Sequence, residues 1–399
     1  MAVFELGSPL TTEERLYKRR LILHDVLSLF GLFLITVALA VATYLLFNSF
    51  SKRRQQLARD WQRAGNKAMS NGHPEEAVEA FRSALEYDPN QRDTEIKLAM
   101  ALAAAGHTDQ AISYFNTLLE AEPGNGLINL ELARLAAKQG NESRGVEYYQ
   151  RALDGTWQGD GYERRRAVRL ELARYLIDRK DYGKARTELL IAAGNAPDDP
   201  KVKLEIAGMM EEAQDPTDAL EIYRALADQR HCPIGAVEGA ARVAFQLGQF
   251  KLAREYFARV VSHPDFASAP QAVQETTRNL LSEATDLLNL FPSTDLGEKE
   301  RAERILHAEK VARDRFDSCS KGNPAPAATT PLTDLTAKWQ QVPPKLTATK
   351  LAGDPQLERT IISLVFDTEK QTAQACGAPT GEDALLLKIA QSPSAVEQQ

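Results

Sequence analysis

Between Ala58 and Pro123 one spacing occurs twice in succession, and it leaves little freedom in what the chain can fold into. Numbered from Ala58, the seventh and eighth positions are Ala64 and Gly65, followed by Gly72, Ala77, Phe81, Ala84 and Pro89. Shifted by 34 residues, the same slots read Leu98, Ala99, Gly106, Ala111, Phe115, Leu118 and Pro123. Small residues such as Ala99 and Ala111 let two helices cross closely, and a bulky Phe115 fills the gap to the next pair. Gly106 turns the chain between the two helices and Pro123 ends the second one. A lone hairpin of this kind cannot bury its apolar face, so its neighbours must complete the core.

The frame continues with decreasing fidelity. The third copy, 126–159, keeps Leu132, Ala133, Gly140, Gly145, Tyr149 and Ala152, with Trp157 in place of the final proline. After an insertion, DGYERR, the fourth resumes at Arg166 with Leu172, Ala173, Ala185, Ala192 and Pro197. The fifth, 200–233, has Ile206, Ala207, Ala219, Tyr223 and Leu226, and the sixth, 234–267, has Ala240, Ala241, Gly248, Ala253, Phe257 and Val260. On these residues the chain resembles the tetratricopeptide repeat (TPR) family, whose unit is a 34-residue helical hairpin. The resemblance implies an all-α, TPR-type α-solenoid of about six helical hairpins over 58–267. Helix-start signals fit: Asp215 with Pro216 reads as a cap and first-turn proline, and Thr108 and Asn141 stand at similar places. The insertion at 160–165 predicts a longer turn or an offset of one half of the array against the other, and Arg164, Arg165, Arg166 and Arg169 beside it read as a solvated helix start, with an anionic contact as the alternative.

Ahead of the repeats, Val26 to Ser51 carries no charge and is long enough to cross a bilayer core. Residues 1–25 form a polar tail, 26–51 a transmembrane helix, and a cleaved leader is the competing reading. The flanks nearly balance, with Arg15, Lys18, Arg19 and Arg20 before the run and Lys52, Arg53, Arg54, Arg59 and Arg63 after it. Under the positive-inside rule this decides little. The layout of one anchor before a large domain leans towards an extracytoplasmic, periplasmic repeat domain, with a cytoplasmic one left open.

Past Asp265 the period fades while helical patterning persists. Ala272–Leu290 and Glu298–Phe316 predict two amphipathic helices within a cap spanning 268–320. A mobile Pro/Ala/Thr-rich linker with a weak helix at Leu335–Trp339 occupies 321–345, and 346–399 is a helical segment with a frayed end. Cys319 and Cys376 each close a predicted helix and form a possible disulfide if the domain lies outside the cytoplasm. Two unrelated thiols are the alternative, and Cys232 reads as a packing residue.

The chemistry classes narrow quickly. A net charge of −7 argues against broad nucleic-acid binding. The cysteines form no C-x-x-C pair, no phosphate-binding loop or hydrolase motif is present, and no pair of carboxylates stands out as catalytic. No enzyme, metal or cofactor is expected. His73 and His107 recur one repeat apart because both follow the hairpin turn. What the TPR resemblance implies instead is a partner-binding groove along the first helix of each repeat. Carried onto this sequence, it comprises Asn66, Met69, Ile96, Met100, Leu130, Arg134, Leu170, Arg174, Ile177, Arg242 and Phe245, with Gln62 beside it. That face suits a protein or peptide with apolar anchors and some acidic character. Gln62, Leu127 and Glu131 replace residues that the chaperone-tail-binding subtype needs. The expectation is therefore a membrane-anchored scaffold acting in cell-envelope assembly or secretion. A self-associating homo-oligomer, or an enzyme hidden in the carboxyl-terminal region, are the alternatives.

Overall fold

The computed structural model describes residues 12–290, 292–322 and 331–392. Residues 323–330 of the expected linker, the last seven residues of the frayed tail and the first eleven of the polar tail lie outside the described residues. The described chain is helical, with a single isolated bridge between Asn125 and Thr156. It divides into two compact units, 1–161 and 162–399.

The first unit contains α1 (Thr12–Ser70), α2 (Pro74–Tyr87), α3 (Arg92–Ala104), α4 (Thr108–Ala121), α5 (Gly126–Lys138) and α6 (Glu142–Asp154). The sequence reading separated a polar tail, an anchor and the first repeat helix. All of them after Thr12 are one helix of 59 residues. The reason is local: SKRRQQLA, between the apolar run and the repeat, has no glycine or proline to stop a helix. Within α1 the apolar run is exposed on every face, with a mean hydropathy of 2.5 and none of it buried. By length and composition this helix can cross a membrane.

From Ala58 onward α1 serves as the first helix of repeat one. Phe81 from α2 is inserted against Gly65, where a methyl group would come within 2.6 Å of the ring. Phe115 of α4 is fully buried at the same slot one repeat on, with Leu98, Ala99 and Leu102 of α3 in the same core. Trp157, standing where the frame expects proline, closes the third repeat differently. Its ring covers Gly126, its Nε1–H donates to the Ala152 carbonyl at 3.0 Å, and Thr156 bridges to 124–126 through Thr156 N to Gly124 O at 2.7 Å.

The second unit continues with α7 (Gly161–Asp178), α8 (Tyr182–Gly194), α9 (Pro200–Glu212), α10 (Pro216–Ala227), α11 (Ile234–Gln246) and α12 (Phe250–Val261). The connection before α7, 155–160, is longer than those between α2 and α3 or α4 and α5, but most of the inserted DGYERR goes into helix. All but Asp160 enters α7, which runs 18 residues, because YERRR is helix-forming material with no breaker. Thr108 also moves by one place: it is the first residue of α4 and His107 is the flanking residue, without a side-chain cap. Asn141 and Asp215 do cap, accepting from Arg144 N and Asp218 N at 3.3 Å each.

One turn geometry recurs in all six hairpins. The fifteenth frame position has positive φ whether it is Gly72, Gly106, Gly140 and Gly248 or the non-glycines Lys180 (61°) and Gln214 (58°). The next amide donates back five residues, as from His107 to Leu102 O at 2.9 Å and Asp181 to Leu176 O at 2.9 Å. This is the left-handed helix stop that satisfies otherwise orphaned carbonyls.

After a 3-10 turn (Pro264–Ser268) come α13 (Gln271–Leu290), α14 (Glu298–Gly322), α15 (Pro331–Gln341), α16 (Ala348–Ala352), α17 (Pro355–Cys376) and α18 (Glu382–Gln391). The cap and the trailing segment that the sequence divided share one core. Leu287, Ile305, Ala312, Leu335, Leu351, Ile361, Val365 and Ile389 meet in it, together with Phe250 of α12. Trp339 of α15 donates from Nε1 to Thr368 Oγ1 at 3.1 Å, and Arg301 Nε reaches the buried Glu358 carboxylate at 3.1 Å. Cys319 and Cys376 are joined by a disulfide with their Cα atoms 5.8 Å apart.

Candidate functional site

The first helix of each hairpin places every third or fourth residue on one face, so the frame positions chosen for binding do share faces within each unit. Their exposure sorts them into three groups. Ile96, Leu130 and Ile177 are 8%, 6% and 9% exposed and belong to the repeat core. Met69, Met100, Leu170 and Phe245 are half-buried, and Asn66, Arg134, Arg174 and Arg242 are exposed. The buried three show why a face read from spacing alone is too wide. Three of the eleven are spent on holding adjacent helices together.

The arginines are not free cations awaiting an acidic ligand. Arg134 Nη1 donates to Glu131 Oε1 at 2.7 Å one turn away. Arg174 pairs with Glu212, 38 residues on. Arg242 holds both oxygens of Glu211, one of them from Nη2 at 2.9 Å. Tyr223 also donates its hydroxyl to Glu211 Oε1 at 2.7 Å. Hydrogen bonding to Glu211 raises the Arg242 pKa further, while burial first and the carboxylate second push the Tyr223 hydroxyl up. The acidic character expected of the partner therefore loses its basis at these positions. Each guanidinium already faces a carboxylate of its own chain.

Phe245 also departs from its expected role. Its ring lies edge-on to Phe250 (5.8 Å) and Phe257 (6.1 Å), and Lys388 of α18 sits over it at 5.0 Å while also pairing with Glu283 of α13. The sixth repeat has no successor, so the terminal helices bury its face instead.

Of the groove positions in the second unit, Leu170 and Arg174 line a cleft of about 450 Å³ between α7 and α9. Its apolar part is Leu170, Val202 and Met209, and its rim carries Arg166, Arg174 and Glu205. Val202, Met209 and Glu205 were absent from the sequence reading, because they lie outside the groove positions that the frame supplied. The face they share with Leu170 is made by two helices, not by one. In the first unit the equivalent surface presents Asn66, Met69, Met100 and Arg134. Among the described residues no group of three or more His, Cys, Asp or Glu is arranged to hold a metal.

Sequence comparison then identifies the repeats. Tetratricopeptide repeat profiles match 68–122, 96–160, 170–231 and 211–273, which are the hairpins just described. Residues 68–160 and 170–273 are tetratricopeptide repeats. None of the curated proteins compared with this TPR chain matches it. Among solved structures it is similar to Pseudomonas aeruginosa PilF, at 18% identity and a TM-score of 0.38, over 57% of this chain and 99% of that one. It is also similar to PilW, titled a type IV pilus biogenesis factor, at 18% identity and a TM-score of 0.36, over 55% and 97%. A third is YrrB, titled a TPR protein with an unusual peptide-binding site, at 15% identity and a TM-score of 0.37, over 51% and 100%.

Proposed function

We propose that this TPR chain is a membrane-anchored scaffold that holds a protein segment in the α7–α9 cleft and works in cell-envelope assembly or secretion. The cleft carries the reading. Leu170 and Val202, over the buried Met209, offer an apolar seat of the size that takes one or two anchoring side chains. Because Arg174 is matched by Glu212, recognition rests on those anchors and on backbone hydrogen bonds to the rim more than on net charge. The exposed apolar length of α1 supports the anchor, and a disulfide between Cys319 and Cys376 suits an oxidising compartment outside the cytoplasm.

The test is site-specific photo-crosslinking in the full-length protein. A photoreactive residue at Leu170 should capture a discrete protein partner, and one at Leu190, which is exposed on α8, should not. Adding Val202→Asp, at a half-buried position on the opposite wall, to the Leu170 probe should lower capture about tenfold, and equal capture from both probes would dismiss the cleft. A topology reporter fused after Gln399 checks the compartment separately.

A further inference from the structure

α1 joins the apolar run to the first repeat without a break, which means that a bilayer around the run would also fix how the repeats stand upon it. At 1.5 Å per residue, Arg54 lies about 6 Å beyond Phe50 and Ser70 about 30 Å beyond it. α2 returns antiparallel along α1, and Arg54 Nη2 lies 3.5 Å from the Glu86 carbonyl near the end of α2. The turn from α2 to α3, Asp88 to Gln91, is therefore level with the start of the basic stretch. The glycine turn at Asn71 and Gly72 is at the far end.

The charges on that stretch are arranged to match. Lys52, Arg53 and Arg59 are exposed, and among the described residues the ion pairs of this unit use none of them. Arg54 is half-buried against α2. Glu86 and Asp88 sit at the same level on the other helix and would be repelled by lipid phosphates. Cations on α1 beside acids on α2 favour seating the α1 side deeper.

Building on the anchor reading, we propose that Lys52 and Arg53 bind lipid phosphates. The α2–α3 edge of the first unit is thereby set at the headgroup layer, with the glycine-turn edge held about 30 Å away from it. The whole first unit then stands on one edge. Its hairpin turns point away from the bilayer, and the inner face of its repeats runs along the bilayer normal.

Spin labels test this in the full chain carrying Cys232→Ser, reconstituted in vesicles of phosphatidylethanolamine and phosphatidylglycerol doped with a nickel-chelating lipid. One label is placed by Asn90→Cys and the other by Asn71→Cys, both at exposed turn positions. Flotation first reports whether the protein is in the membrane, and failure to float defeats the anchor reading and this inference with it. In floating protein, the label at 90 should relax at least fivefold faster than the label at 71. Equal relaxation overturns the inference while leaving the anchor intact. Lys52→Glu with Arg53→Glu should bring the rate at 90 down at least twofold without loss of flotation. An unchanged rate would remove these two side chains as the phosphate contacts.

Discussion

The repeats and the terminal helices from Gln271 to Gln391 both bury apolar helix faces, but they do it in opposite ways. In the repeats of the first unit the same contact returns at the same slot. Phe81 and Phe115 each fill a gap beside small residues, the buried polar Asn129 and Glu131 reach partners within their own or the adjoining turn, and Thr94 adds to its local partner Gln91 a bond from Gln62 one repeat back at 3.1 Å. In the terminal helices no contact repeats. Trp339 meets Thr368 across 29 residues, Arg301 meets Glu358 across 57, and His307 meets Glu382 across 75. The first arrangement spreads stability over near-equivalent neighbours, and the second concentrates it in single partners. Solution conditions that touch one titrating group should therefore affect the terminal helices and pass the repeats by.

Glu369 is the sharpest instance. It is fully buried on α17, neither carboxylate oxygen has a hydrogen-bond partner, and its pKa is pushed up to about 8. Burial is the main cause and Asp383 on α18 adds to it, while Arg315 on α14 opposes both. Burial raises Asp383 as well. Arg315 spends one nitrogen on the Gly377 carbonyl at 2.7 Å, and its Nε is left without a partner.

The largest expected effect tests the locality of the repeats. Phe115→Ala should destabilise the first unit by about 4 kcal/mol, through lost burial and the cavity left behind. Hydrogen exchange should accelerate in α3 to α5 and stay unchanged in α17. Equal acceleration in both places would break the contrast.

The next effect concerns pH. A carboxyl whose folded pKa is raised holds its proton more tightly when folded, so its contribution is complete below pH about 4.5 and is lost as pH rises towards 8. The terminal helices should accordingly loosen between pH 5 and 8. Glu369→Gln should flatten that slope and gain about 2 kcal/mol at pH 8, less than the full shift because the amide stays buried without partners. Exchange at α17 followed across pH in both proteins measures it, and a slope that survives the substitution would clear Glu369.

The smallest effect refines the turn rule. Lys180→Gly or Gln214→Gly should each raise stability by about 0.5–1 kcal/mol by relieving positive φ, as seen in a shift of the thermal midpoint. Gly106→Ala should shift it the other way.

These turns also show how much of the fold could be read beforehand. The period locates all six stops, including the two where lysine and glutamine hide the signal. The continuity of α1 is legible too, since nothing between Ser51 and Ala58 halts a helix, and only the change of composition there suggests a boundary. The terminal core was out of reach. Its pairings join residues that no period relates, and only the cysteines hinted that α14 and α17 meet. At the candidate site the frame located Arg134, Arg174 and Arg242 but not their neutralisation. Glu131 lies three residues before Arg134 on one helix and was within reach of spacing, whereas Glu212 and Glu211 occupy neighbouring slots of the fifth repeat, so only the stacking of one repeat on the next brings them to Arg174 and Arg242.

The bond between Cys319 and Cys376 makes residues 319–376 a closed loop of covalent chain. A single protease cut inside that loop would release nothing. The two pieces would run together on a gel until a thiol was added, and α18 would stay fastened to α14 through sulfur alone. Such a molecule can survive a nick in its backbone as one covalent particle, and in a reducing environment only the shared core would hold the pieces together.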